Sequence, residues 1–171
     1  MYTYCLHCES GKAKYVAAAI RALSPDCRAL IPRQIQHTWK AGKMVDRVRD
    51  LIPGYLFLYS ENRLPMENVR YLDSVIRVLR SSDASYELYG PDEAFALLLL
   101  EKNGILGKTM VLRENDVLTL PPDLFGGADA RIVKVDRRAH RMKVSIRFAR
   151  QEITTWLEYE ILPEAALPDS P

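Results

Sequence analysis

No stretch of this 171-residue sequence approaches the ~20 consecutive apolar residues of a bilayer-spanning helix. The longest greasy run, Ala94 to Leu100, is far too short. The N-terminus lacks a positive start followed by an apolar core, so no secretory leader is expected. Cysteine is scarce. Three residues, Cys5, Cys8 and Cys27, cannot all pair, and without an export signal they are expected as reduced thiols in a cytoplasmic protein. Charge of one sign is scarce too: the net charge is +2, so any basic surface must be local. Histidine is limited to His7, His37 and His140. The pair in Cys5-Leu6-His7-Cys8 therefore lacks a second ligand pair for a four-coordinate zinc. Strand alternation also puts Cys5 and Cys8 on opposite faces, which disfavours a redox dithiol. No phosphate-binding glycine loop, Gly-x-Ser-x-Gly elbow or His-Glu-x-x-His pair occurs. The carboxylates are scattered among arginines. These absences point away from an enzyme, a metal site or a cofactor.

What is present is ordinary for a globular chain, 48% hydrophobic and 27% charged, long enough for one domain or two small ones. The most informative stretch is Leu51-Ile52-Pro53-Gly54-Tyr55-Leu56-Phe57-Leu58-Tyr59. Pro53-Gly54 punctuates the chain, and the strand that follows alternates Tyr55, Phe57 and Tyr59 on one face with Leu56 and Leu58 on the other. The leucine face belongs in a core. The aromatic face is either a second core layer or a patch for a partner.

Around it, Tyr2 to Cys8 reads as a strand, Lys12 to Leu23 as an amphipathic helix, and Ala29 to Pro32 as a short strand. The basic segment Arg33 to Asp50, with Ala41-Gly42 near its middle, reads as a hairpin or loop. Val69 to Leu72 suggests a short helix and Val75 to Leu79 a strand. Pro91-Asp92-Glu93 opens a helix that Asn103-Gly104 closes. Gly107 to Asn115 reads as a linker. From Asp116 the signals are all β, with strands at 131–135, 142–148 and 153–159, so a small barrel over 116–162 is expected. Residues 163–171 carry three prolines and are expected to be disordered. The fold class is α+β, an antiparallel sheet with flanking helices over 1–105 joined to the barrel.

This order of elements resembles the NusG family of transcription elongation and antitermination factors, an NGN domain followed by a KOW domain. The resemblance rests on Thr3-Tyr4-Cys5-Leu6-His7-Cys8-Glu9-Ser10-Gly11, on Pro53-Gly54-Tyr55-Leu56-Phe57-Leu58, and on Asp116 to Leu120, Phe125-Gly126 and Arg131 to Asp136. Some positions depart from the family pattern. Thr3 stands for a tryptophan, and Asn115, Ala130 and Ala149 stand for glycines. Such changes resemble a specialised paralogue of the RfaH or LoaP type. The resemblance implies that the NGN domain docks on the clamp helices of RNA polymerase, with His7, Tyr55 and Phe57 lining the apolar docking patch. It also implies a KOW domain that recruits RNA, such as a hairpin in the nascent transcript, or a ribosomal protein or other factor. Some relatives refold this domain into a helical hairpin; Val144, Ile146 and the Phe125-Gly126-Gly127 turn favour a stable barrel here. A monomer with no membrane partner is expected.

Two segments concentrate positive charge. The first holds Arg33, Lys40, Lys43, Arg47 and Arg49 against Asp46. By the resemblance it approaches upstream or non-template DNA. The second holds Arg131, Lys134, Arg137, Arg138, Arg141, Lys143, Arg147 and Arg150 against Asp136. Alternation on the Met142 strand sends Lys143, Ser145 and Arg147 outward, and with Arg137, Arg138 and Arg141 they would form one continuous surface for RNA phosphates. The competing reading is a ribosome- or RNA-binding KOW protein of translation. Against it stand the aromatic face and a net charge of only +2.

Overall fold

The computed structural model describes residues 1–163, so the expected disorder over 164–171 lies outside the described residues. The elements in chain order begin with strand β1 (Tyr2–Cys8), helix α1 (Ala13–Leu23) and strands β2 (Arg28–Leu30), β3 (Arg33–Lys40), β4 (Lys43–Asp50) and β5 (Tyr55–Ser60). Helix α2 (Met66–Val69), strand β6 (Val75–Val78), helix α3 (Pro91–Glu101) and strand β7 (Ile105–Leu106) follow. The C-terminal strands are β8 (Thr109–Glu114), β9 (Val117–Thr119), β10 (Ala130–Asp136), β11 (Arg141–Phe148) and β12 (Gln151–Ile161).

The first unit is an antiparallel sheet in the order β2-β5-β1-β6. Period-2 alternation gives it two apolar faces. Tyr4, Leu6, Cys8, Leu56 and Leu58 form a core with Val16, Ala17 and Ile20 of α1 and Met66 and Val69 of α2. The opposite face, Cys5, Tyr55, Phe57 and Tyr59, belongs to a second core that takes in Phe95 and Leu99 of α3 and the interior of the C-terminal unit. The basic segment is a hairpin: β3 pairs with β4 from Arg33↔Asp50 to Lys40↔Lys43, and Ala41-Gly42 make the turn. Its base joins a small sheet through the parallel pairing of β3 with β7.

The C-terminal unit is a nearly closed barrel sheet in the order β10-β11-β12-β8-β9. Met142, Val144, Ile146 and Phe148 point inward as alternation predicts, and all are fully buried. Two elements differ from expectation. Residues 109–114, expected within a linker, form β8, paired parallel with β12 and antiparallel with β9. Thr109 and Val111 are buried in the barrel, so this strand completes its wall, and only Gly107 and Lys108 separate it from β7. Helix α2 begins three residues earlier than the expected helix at Val69, because Pro65 caps it and Met66 and Val69, one turn apart, both bury.

Three hairpins close on two-residue turns whose central residues both have positive φ: Ala41-Gly42, Asn115-Asp116 and Ala149-Arg150. Such turns match the twist of paired strands but suit glycine or asparagine. Ala149, at φ 46°, sits there with a Cβ. An L-residue other than glycine or asparagine in that region costs about 1–2 kcal/mol. Ala149→Gly is therefore expected to stabilise the protein by about 1 kcal/mol, read as a raised urea midpoint with unchanged m.

Candidate docking face and nucleic-acid surfaces

The candidate docking face is assembled where β1 meets β5, in the pairs Cys5↔Phe57 and His7↔Tyr55. Gly54 makes this meeting close. At φ +85°, any Cβ there would lie 2.9 Å from the Cys8 carbonyl oxygen and 3.3 Å from His7 Cδ2. The same closeness lets the Cys8 amide donate to the Gly54 carbonyl at 2.7 Å. His7 then stacks on Tyr55, with ring centroids 4.9 Å apart and planes 18° off parallel. Burial, with the Arg77 guanidinium nearby, lowers the His7 pKa, which favours the neutral imidazole.

This face is covered. Phe57 is 0% exposed, its ring 5.8 Å from Phe95 of α3 and 5.5 Å from Phe148 of the barrel. Tyr55 is buried, and its hydroxyl accepts a hydrogen bond from Gln151 Nε2 at 3.1 Å. The aromatic face is thus a core layer shared by two units, and what lies over it is the rim of the barrel at the β11–β12 turn. Around the rim, Asp92 Oδ1 accepts from the Ala149 amide at 2.9 Å, and Arg150 pairs with Asp83. Gln34 Nε2 donates to the Trp156 carbonyl at 2.9 Å, and the Thr155 hydroxyl donates to the Leu51 carbonyl. His37 donates its backbone amide to one oxygen of Glu158 at 2.7 Å, and its Nδ1 lies 2.9 Å from the other.

The tightest point of the seam is Gly126. A Cβ built there would lie 2.5 Å from the Ala94 carbonyl carbon and 2.6 Å from the Phe95 amide nitrogen. The φ of +65° adds a second reason for glycine. Phe125 beside it meets Phe95 edge-on at 5.5 Å. Sequence reasoning placed Asp92 and Phe95 in a helix, Gly126 in a turn and Phe148 in a strand, but gave none of them a role at this seam. One signal was available: the run Phe95 to Leu100 is apolar on every side, as befits a helix enclosed between two layers.

The hairpin cations are divided. Gln34↔Arg49, Gln36↔Arg47 and Lys40↔Lys43 share one face, so Lys40, Lys43, Arg47 and Arg49 lie together and exposed. Arg33 falls on the other face, half-buried at the base. Among the described residues, none of the four exposed cations pairs with a carboxylate.

The barrel cations do not form one continuous surface. Lys134 lies across from Lys143, which lies across from Trp156, and the Arg141 guanidinium is 5.9 Å from the Trp156 ring. This is a compact basic patch around an aromatic. At the other end of β11, Arg147 lies in a recess with Asp129, Arg131 and Glu152, and Arg131 is paired with Glu152 at 2.7 Å. Ser145, expected to project outward, is covered there and donates to Glu152 at 3.0 Å. Arg137 is drawn to the Asp116 turn, 3.0 Å from its carbonyl oxygen, and Arg138 stands in a separate groove beside the β3–β4 hairpin.

The thiols lie apart. Cys5 is in the aromatic core and Cys8 in the α1 core, on opposite faces of the sheet. Burial pushes the Cys8 thiol up to about 11 and Cys5 well above its ordinary value, so neither presents a reactive thiolate. Among the described residues, no group of three or more His, Cys, Asp or Glu side chains is placed to hold a metal ion. No helix among them is long and apolar enough to cross a membrane.

The fold is similar to a solved structure described as "Domain interaction in Thermotoga maritima NusG", with a TM-score of 0.54 and 18% identity over 92% of this chain and 93% of that one. No curated protein sequence matches the chain. The profile of the NusG family, described as "Transcription termination factor nusG", matches residues 1–94, which hold the whole antiparallel sheet, the basic hairpin and the Pro53-Gly54-Tyr55 strand. The chain belongs to the NusG family of transcription factors.

Proposed function

We propose that this NusG-family chain is a transcription elongation regulator of the processive antiterminator type. Its N-terminal unit, 1–105, binds the clamp helices of RNA polymerase through His7, Tyr55 and Phe57, favouring the elongating state. Its barrel contacts RNA in the nascent transcript or a further factor, and the protein works as a non-enzymatic cytoplasmic monomer. One observation carries the reading: its own helix α3 covers the aromatic face of β5 only in part, and Phe148 and Gln151 of the second unit complete the cover over Phe57 and Tyr55. A surface covered by a removable neighbour can serve as an interface once the neighbour leaves, and exposed aromatics at an interface centre are strong anchors. The covering barrel then acts as a mask. Polymerase affinity is reduced by the fraction of molecules that are open, and anything stabilising the open arrangement raises it.

Gly126 gives a way to test this without touching the docking residues. Gly126→Val drives a side chain into the backbone at Ala94–Phe95, so the full chain should bind a clamp-helix fragment at least about tenfold more tightly than wild type. Tyr55→Ala with Phe57→Ala should abolish binding in both backgrounds, with the fold checked by circular dichroism. Equal affinity of wild type and Gly126→Val would sink the mask, and binding retained by the double mutant would sink the docking face.

The patch of Lys134, Arg141 and Lys143 around Trp156 supports the RNA contact. Each phosphate contact adds a little under one to the slope of log affinity against log salt. Arg141→Glu with Lys143→Glu should weaken RNA binding and lower that slope by about 2. An unchanged slope in a filter-binding series from low to high salt would remove this patch from RNA recognition.

A further inference from the structure

An apolar surface at the seam is left uncovered by the described residues. It lines a groove of ≈ 650 Å³ between the β3–β4 hairpin and the barrel. Trp39 and Met44, paired across the hairpin, form one side and are 72% and 52% exposed. Ile161, the last residue of β12, also lines the groove and is 39% exposed. Most charged side chains here are engaged with one another. Glu158 and Asp46 hold the two sides of the His37 ring, and Glu160 pairs with Lys108. Arg138, exposed on the β10–β11 turn, is the one arginine or lysine of the groove with no carboxylate partner among the described residues.

We propose that the groove is the docking site of this chain's own segment after Pro163, with Leu167 against Trp39 and Met44 and an acid of the segment beside Arg138. Three observations select this occupant. The first is where the chain leaves its last strand. Ile161 lines the groove, and the Leu162 amide donates to the Val111 carbonyl at 2.9 Å, so the departure point is fixed at the groove's edge. The second is reach. Eight residues, Glu164 to Pro171, span up to about 26 Å when extended, more than the breadth of a groove of this volume. The third is composition. The segment Glu-Ala-Ala-Leu-Pro-Asp-Ser-Pro carries two acids, no lysine or arginine, and one branched apolar side chain. It therefore complements both the apolar wall and the uncommitted Arg138. A second copy of the chain suits the groove less, because two grooves face to face would bring their Arg138 side chains together. A short tether holds the segment at an effective concentration in the millimolar range, so a modest contact keeps it docked. Trp39 and Met44 belong to the N-terminal unit and Arg138 and Ile161 to the barrel, so the docked segment ties the two units together. It thereby favours the closed arrangement, by linkage. That regulatory consequence rests on the masking proposed above; the docking does not.

The test uses full-length Trp156→Phe protein, in which Trp39 is the sole tryptophan, and reads acrylamide quenching of its emission. A chain ending at Pro163 should be quenched about twofold more steeply than the full chain, with the two folds matched by circular dichroism. Glu164→Lys with Asp169→Lys should expose Trp39 as far as the truncation does. Adding Arg138→Glu to that pair should restore most of the protection, because both sides of the contact are then reversed. Equal quenching of the full and shortened chains overturns the docked segment. Protection that survives the truncation and grows with protein concentration also overturns it, and assigns the groove to a second copy. Protection left unrestored by Arg138→Glu overturns the charge pairing. Clamp-helix binding is measured separately: truncation should raise it several-fold in the wild-type background and leave it unchanged with Gly126→Val, where the seam is already open. Trp39 quenching is read with no polymerase present, so failure of the polymerase reading and failure of the docked segment are distinguishable.

Discussion

Phe95 holds this molecule in one piece. Its ring meets Phe57 of the sheet at 5.8 Å, Phe125 at 5.5 Å and Phe148 of the barrel at 5.7 Å, each close to perpendicular. Edge-to-face packing of this kind adds about 0.5–1.5 kcal/mol per pair beyond the burial of the rings themselves. Helix α3 therefore serves both units at once, covering the aromatic face from one side and receiving the barrel on the other. The remaining seam contacts depend on it. Asp92, one turn before Phe95, accepts the Ala149 amide, and Gly126 can approach the backbone at Ala94 only because it has no side chain.

The balance between apolar and polar contacts at the seam bears on how a surface that is core here could serve as the proposed interface. The hydrogen bonds from Gln34, Gln151, Thr155 and the Ala149 amide each contribute little net free energy, because water replaces them when the units part. What opposes separation is the apolar area around Phe57 and Phe148, roughly 25 cal/mol for each Å² exposed. A partner that offers equivalent apolar cover for Tyr55 and Phe57 cancels most of that cost. In the proposed function masking and docking then use the same rings, and the barrel does not need to unfold to act as the mask.

How far the sequence was legible follows from what periodicity can encode. Alternation identified the two faces of β5, the inward residues of β11 and the separation of Cys5 from Cys8, because side-chain direction in a strand is a local property. It also showed that Tyr55, Phe57 and Tyr59 must be covered by something. The identity of the cover was not legible, since Phe57 and Phe148 are brought together by the fold and not by spacing along the chain. Strand β8 was missed for a related reason: its partners β12 and β9 decide its state, and the short segment Thr109–Glu114 buries a threonine while exposing Met110, so no clean polar–apolar alternation marks it. The basic barrel surface was over-read because Arg131, Arg137 and Arg147 meet acids or carbonyls that only the fold brings near.

The departures from the family's glycines divide on the same principle. Ala130 opens β10 opposite Ile146 with ordinary strand backbone, so nothing in its conformation requires a glycine. Asn115 sits at φ 47°, which asparagine tolerates. Ala149 is the strained one, and its amide is also the donor to Asp92. Its strain is stored at the turn that covers the aromatic face of β5, where the seam's hydrogen bond and the packing of Phe148 hold the conformation in place. When the barrel leaves, the Asp92 bond is lost and that constraint relaxes. The alanine thus costs the closed molecule more than a glycine would, and part of that cost is recovered when the barrel leaves. A turn residue strained in the assembled state and relieved when the units part shifts the balance towards opening without removing a single contact.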